Sequence, residues 1–237
     1  MRHDVRLMGG TGTRIALGIL AALTSFGLIA SAASAGATIQ SDPNAYDYLP
    51  GPFVQDLGET AIFDNSQSSA PHDVTTARRG PDGGPLFYSN LISGGQTTPV
   101  KGTEYLAAGT YPFYCTIHGT SMSGELVIDG SKGTVVPRPS IKATFPGQRL
   151  KQVRKSGVRV KVKATTASNG VAVTARKGRA LLGVKRGLNF TAGQSRTVTV
   201  PLTKAGRKAI SKGKVVKITV KATVEFGKPS TAIRKVR

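Results

Sequence analysis

The sequence predicts an all-β protein made of two sandwiches in tandem. Three observations carry this. Residues 37–129 fall into short apolar runs separated by turn clusters, the pattern of an antiparallel β domain with a strand about every 8–12 residues. Residues 141–237 alternate apolar with basic side chains at period two, so each strand has one buried and one wet face. Between them the charge reverses: residues 36–136 carry −6 and residues 137–237 carry +25, within a total of +21. Such asymmetry argues for two domains with different partners.

The chain opens on an export pattern. Arg2, Arg6 and Arg14 form a basic stretch, Ile15 to Ala30 is apolar and uncharged, and Ala33-Ser34-Ala35 is a small-residue cleavage signature. Residues 1–35 therefore read as a signal peptide, with the mature chain starting near Gly36 and located outside the cytoplasm or on the cell envelope. The alternative is a retained membrane anchor. The apolar run is short for a span of about 20 residues and is diluted by Gly18, Thr24, Ser25 and Gly27, which favours cleavage.

The first domain is expected over residues 36–129. Glu125-Leu126-Val127-Ile128 is a compact strand, and Tyr111, Phe113 and Cys115 alternate onto one strand face. Gly80 to Pro85 and Ser93-Gly94-Gly95 are turns. A spacer over residues 130–140 follows, loosened by Gly130, Ser131 and Gly133 and stiffened by Pro137 and Pro139.

The second domain is expected over residues 141–237. Val158 to Ala164 and Val216 to Val224 alternate strictly, Val171-Ala172-Val173 and Val198-Thr199-Val200 are shorter versions, and Leu202 to Ser211 suits a short helical turn. A small antiparallel Ig-like sandwich fits this pattern. It resembles, diffusely, accessory sandwiches of exported bacterial proteins.

Chemistry concentrates in the first domain. Beyond the leader the chain keeps one Cys (Cys115), one Met (Met122) and two His (His72 and His118). A single Cys forms no internal disulfide, and a free exposed thiol outside the cell is open to oxidation. Two imidazoles, a thiolate and a thioether are the donor set of a blue-copper centre, a His2Cys plane with a long axial Met. The bland alternative is a buried Cys, surface His and a core Met. Zinc fits less well, since structural zinc takes Cys and His but not thioether.

Gly109-Thr110-Tyr111-Pro112-Phe113-Tyr114-Cys115-Thr116-Ile117-His118 resembles the last-strand copper loop of plastocyanin-type cupredoxins. Ala70-Pro71-His72-Asp73-Val74 resembles the segment that supplies their first His, and Met122-Ser123-Gly124-Glu125-Leu126-Val127-Ile128 their exit into the closing strand. The resemblance implies a Greek-key cupredoxin sandwich holding one mononuclear type 1 copper. His72 and His118 would bind through imidazole nitrogen, Cys115 through thiolate and Met122 axially, with Asp73 and Thr116 adjoining the ligands. It departs at two points. Three residues separate His118 from Met122, where plastocyanins typically carry four and shorter-loop relatives two. Asp73 stands where Asn is common, and an ionised carboxylate accepts hydrogen bonds but donates none.

Two functions follow as expectations. One is an exported electron carrier working between redox proteins that the sequence does not name. The other is an extracytoplasmic copper-binding or trafficking protein without a redox partner. An enzyme is not expected: both mature His are claimed by metal, and no Ser/His/Asp set or phosphate-binding Gly loop is present. The basic domain admits attachment to a polyanion of the cell envelope, a solvated anti-aggregation surface, or docking onto the acidic domain. Sequence-specific nucleic-acid binding is not expected, because no recognition motif appears.

Overall fold

The computed structural model describes residues 36–237. The expected leader lies outside the described residues. No helix among those described is long and apolar enough to cross a membrane.

Residues 36–237 form one compact unit with two hydrophobic cores. The first core is enclosed by β1 (Thr38–Gln40), β2 (Phe53–Leu57), β3 (Ile62–Asn65), β4 (Gln96–Pro99), β5 (Gly109–Cys115) and β6 (Gly119–Gly133). One sheet has the order β1-β3-β4 and the other β2-β6-β5. The pairs β1–β3 and β2–β6 are parallel, while β3–β4 and β5–β6 are antiparallel. Ile39, Phe63, Phe87, Phe113 and Leu126 fill the space between, each fully or nearly fully buried. Burying a side chain of this size contributes roughly 1.5–3 kcal/mol.

Tyr111, Phe113 and Cys115 do share the buried face of β5. Pro112 interrupts that strand without harm because β5 is an edge strand and can spare a ladder donor. Gly124 sits opposite Phe113, and a Cβ there would meet the Phe113 ring at 2.7 Å. Glycine at this position lets the aromatic ring lie flat on the neighbouring strand. β6 runs to Gly133, so its last four residues occupy the start of the stretch expected as a spacer.

The second core belongs to β7 (Ile141–Thr144), β8 (Val158–Ala164), β9 (Ser168–Lys177), β10 (Ala180–Phe190), β11 (Ser195–Val200), β12 (Val216–Thr223) and β13 (Ser230–Val236). All pairings are antiparallel, in sheets of order β10-β9-β12-β13 and β11-β8-β7. β8 shows why: Val158, Val160, Val162 and Ala164 point inward while Arg159, Lys161 and Lys163 point out. Val171 to Val173 proves to be the middle of a ten-residue strand, β9.

Two helices close this sandwich. α2 (Lys204–Ser211) falls inside the stretch expected to turn helically, and the Thr203 hydroxyl accepts the Gly206 amide at 2.9 Å as its N-cap. α1 (Leu150–Ser156) was not anticipated. Its only buried residues are Leu150 and Val153, too few to show a helical period among basic neighbours.

Candidate metal centre

The site is assembled from three segments that the fold ties together. His72 sits on a short extended stretch outside the named strands. It exchanges backbone hydrogen bonds with Ile92 (3.1 and 3.0 Å), and three residues later Thr75 does the same with Tyr114 of β5 (2.9 and 2.9 Å). The second pair fixes the His72 stretch beside the residue that precedes Cys115. Buried Asn65 braces the other side. Its amide donates to the carbonyls of Ala70 (2.8 Å) and Ile92 (3.3 Å), and its oxygen accepts the Ser41 hydroxyl (2.7 Å). A buried Asn with every group paired orders the chain around it, whereas an unpaired one would cost about 1–3 kcal/mol.

Cys115 ends β5 and His118 lies in the turn before β6. Gly119 completes that turn with φ +64°, a left-handed conformation that suits glycine, and a Cβ there would meet nothing within 4 Å. Its role is therefore conformational rather than steric. The β5–β6 ladder pairs Cys115 with Gly119 and Tyr114 with Ser123, so Thr120, Ser121 and Met122 bulge out of register. The bulge carries Met122 into the same fully buried core as Cys115.

One nitrogen each from His72 and His118 and the Cys115 sulfur all lie within 4.8 Å of one another. Cys115 Sγ is 3.9 Å from His72 Nδ1, and the two imidazole centroids are 4.9 Å apart. His118 Nδ1 and His72 Nε2 are buried without a hydrogen-bond partner. Burial, then the neighbouring His118, lowers the His72 pKa, with Asp73 opposing; this favours the neutral imidazole, the form with a lone pair to donate. Three donors converging with an unpaired nitrogen among them fit a single metal ion, and thiolate with imidazole suits copper. Met122 lies fully buried in the core that holds Cys115.

Asp73 links the two ligand-bearing segments. Its carboxylate accepts the Thr116 amide (2.7 Å) and hydroxyl (2.8 Å), and also the Thr75 hydroxyl (3.2 Å). The residue after the first His thus holds the residue after the Cys.

Two tyrosines were not singled out by the sequence. Tyr48 donates its hydroxyl to the Asp73 carbonyl, and burial first, then the charges of Cys115, Asp73 and Asp47, pushes its pKa up. Tyr46 sits on a loop closed by the Ser41–Tyr48 bridge and by Asp42 N–H donating to the Asp47 carbonyl (2.8 Å). Its ring stacks on His118, with centroids 4.7 Å apart and planes 18° apart, though it is itself 67% exposed. In the sequence only the presence of an aromatic in a polar turn hints at this contact.

The sandwiches touch through a small polar and aromatic seam. Tyr88 donates to Glu225, the one acid of residues 137–237, and Asp82 accepts the Phe226 amide at 2.8 Å. The Phe226 ring lies near Tyr88 and Tyr105, with centroids 6.0 and 5.8 Å away.

No protein-family model matches the chain, and no curated protein does. Among solved structures it is similar to a copper-containing nitrite reductase (NirK) from Thermus scotoductus SA-01, at 22% identity over 41% of this chain and 23% of that one, with a TM-score of 0.32. It thus spans under a quarter of the reductase. It is also similar to a purple cupredoxin from Nitrosopumilus maritimus, at 22% identity over 39% of this chain and 99% of that one, TM-score 0.30. Fibronectin(III)-like modules of CbhA from Clostridium thermocellum align at 12% identity over 87% of this chain and 90% of theirs, TM-score 0.25.

Proposed function

We propose that His72, Cys115, His118 and Met122 hold one mononuclear copper ion and that the protein carries single electrons between redox partners. The observation that supports this most is the convergence of two imidazoles and the lone thiol within 4.8 Å, on segments stapled by paired backbone bonds. Bound copper supplies a one-electron couple. The chain's own residues do the rest. Full burial of His72, Cys115 and Met122 excludes water from three donors. The Asp73–Thr116 bonds and the Thr75–Tyr114 pair hold the donors in one arrangement, so little needs to move when charge changes. His118 remains only half-buried, which leaves one ligand edge near the surface beneath Tyr46.

The second reading is copper capture and delivery without a redox partner. Reduction and reoxidation of the copper-loaded protein, followed by a Cu(I) chelator challenge, separates the two. A carrier cycles repeatedly and keeps its metal through the challenge. A trafficking protein releases its copper to the chelator on reduction.

A further inference from the structure

The outer face of the β11-β8-β7 sheet carries an unbroken row of cations along its central strand. Arg159, Lys161 and Lys163 follow one another at every outward position of the central strand β8. Register places Lys142 of β7 beside Lys163, and Thr144 beside Lys161. On the other side, Ser195, Thr197 and Thr199 of β11 stand opposite Lys163, Lys161 and Arg159. The face is a line of cations flanked by hydroxyls. An open depression of about 410 Å³ runs along it, lined by Lys142, Thr144, Lys161, Lys163, Gly193 and Ser195, with no acid or large apolar residue.

The spacing decides what fits. Alternate residues of a strand are about 7 Å apart, and neighbouring strands about 5 Å. Three charges therefore lie in a row some 14 Å long, with a fourth alongside. The opposite sheet carries cations too, but not in a row along one strand. On β12, Lys217 and Lys221 are separated by outward-facing Thr219, which has Arg176 of β9 on one side and Ile233 of β13, 56% exposed, on the other. Lysines bind phosphate as point charges, and the Arg159 fork matches a pair of phosphate oxygens. The three aromatics of residues 137–237 (Phe145, Phe190 and Phe226) are all buried, so no platform exists on which bases would stack. The face also offers no apolar side chain to enter a bilayer.

We propose that the β11-β8-β7 face binds a base-free linear polyol-phosphate polymer, independently of the metal centre. Four engaged cations give a salt dependence with a slope near −3 for a flexible single chain. The test measures binding of the purified protein to poly(glycerol phosphate) across a salt series. A variant with Lys142, Arg159, Lys161 and Lys163 all changed to Gln should lose at least tenfold in affinity and flatten the slope by about 3. Its control changes Arg176, Lys217, Lys221 and Lys235 of the opposite sheet to Gln, removing the same charge, and should lose less than threefold. Lys161→Gln alone, a surface change with no packing role, should lose several-fold and guards against misfolding of the fourfold variant. Equal losses in the two fourfold variants would overturn the proposal, as would no binding. So would tighter binding to a thymidine 25-mer, or binding to phosphatidylglycerol vesicles in preference to the polymer.

Discussion

The Asp73 carboxylate receives both the amide and the hydroxyl of Thr116, at 2.7 and 2.8 Å, and so joins the stretch bearing His72 to the turn bearing His118. Two charge-assisted bonds from one carboxylate are stronger than neutral ones. Removing the acceptor leaves the Thr116 amide without its partner. Asp73→Ala should therefore cost about 1–3 kcal/mol in urea unfolding of the metal-free protein. Asp73→Asn keeps one acceptor oxygen and should cost less. Equal costs for the two variants would show that the carboxylate's acceptor role is not what joins the segments.

Tyr46 covers His118 from the solvent side. Tyr46→Ala should raise the rate at which diethyl pyrocarbonate modifies His118 in the metal-free protein, by several-fold. The stability loss should stay within about 0.5–1.5 kcal/mol, the worth of an aromatic pair. An unchanged modification rate would mean the stacked ring does not shield the imidazole.

Met122 is fully buried at the β6 bulge, so packing and ligation can be separated by size. Met122→Ala opens a cavity and should cost about 2–5 kcal/mol without metal. Met122→Leu conserves volume and should cost under about 1.5 kcal/mol. If Met122 is the axial ligand, the Leu variant nonetheless shifts the copper potential and spectrum. An unaltered spectrum assigns Met122 to the core alone.

The seam between the sandwiches should show itself at high pH. Burial, then the hydrogen bond to Glu225, pushes the Tyr88 pKa up to about 12, against about 10 in an unfolded chain. The folded state holds this proton longer, so the stabilisation is complete below about pH 10 and is lost as pH rises from 10 to 12. Tyr88→Phe should reduce the fall in melting temperature across that window. A fall identical to that of the parent protein would show that the Tyr88 hydroxyl does not couple the two halves.

Much of the site was legible because chemistry-bearing residues are so scarce. With one Cys, one Met and two His beyond the leader, composition alone narrows the donors, and the β5 alternation places Cys115 inward. The two sandwiches were legible from strict period-two runs such as β8, where burial leaves little choice of register. What stayed hidden depends on contacts distant in sequence. Tyr46 meets His118 across more than 70 residues, and Asn65 braces Ala70 and Ile92 through side-chain bonds that leave no periodic trace. Asp73 stands out in the sequence as a departure from a family pattern, but its grip on Thr116 is a matter of geometry. α1 escaped because two buried residues make no period.

The central claim is that His72, Cys115, His118 and Met122 form one copper site, and one titration tests it. One equivalent of Cu(II) is added to the purified protein, and the visible absorption and EPR spectra are recorded for it and for Cys115→Ser. The account predicts an intense blue thiolate-to-copper band saturating at one equivalent, with narrow hyperfine splitting, both lost in Cys115→Ser. A pale spectrum without a thiolate band, or binding unaffected by the substitution, would contradict it.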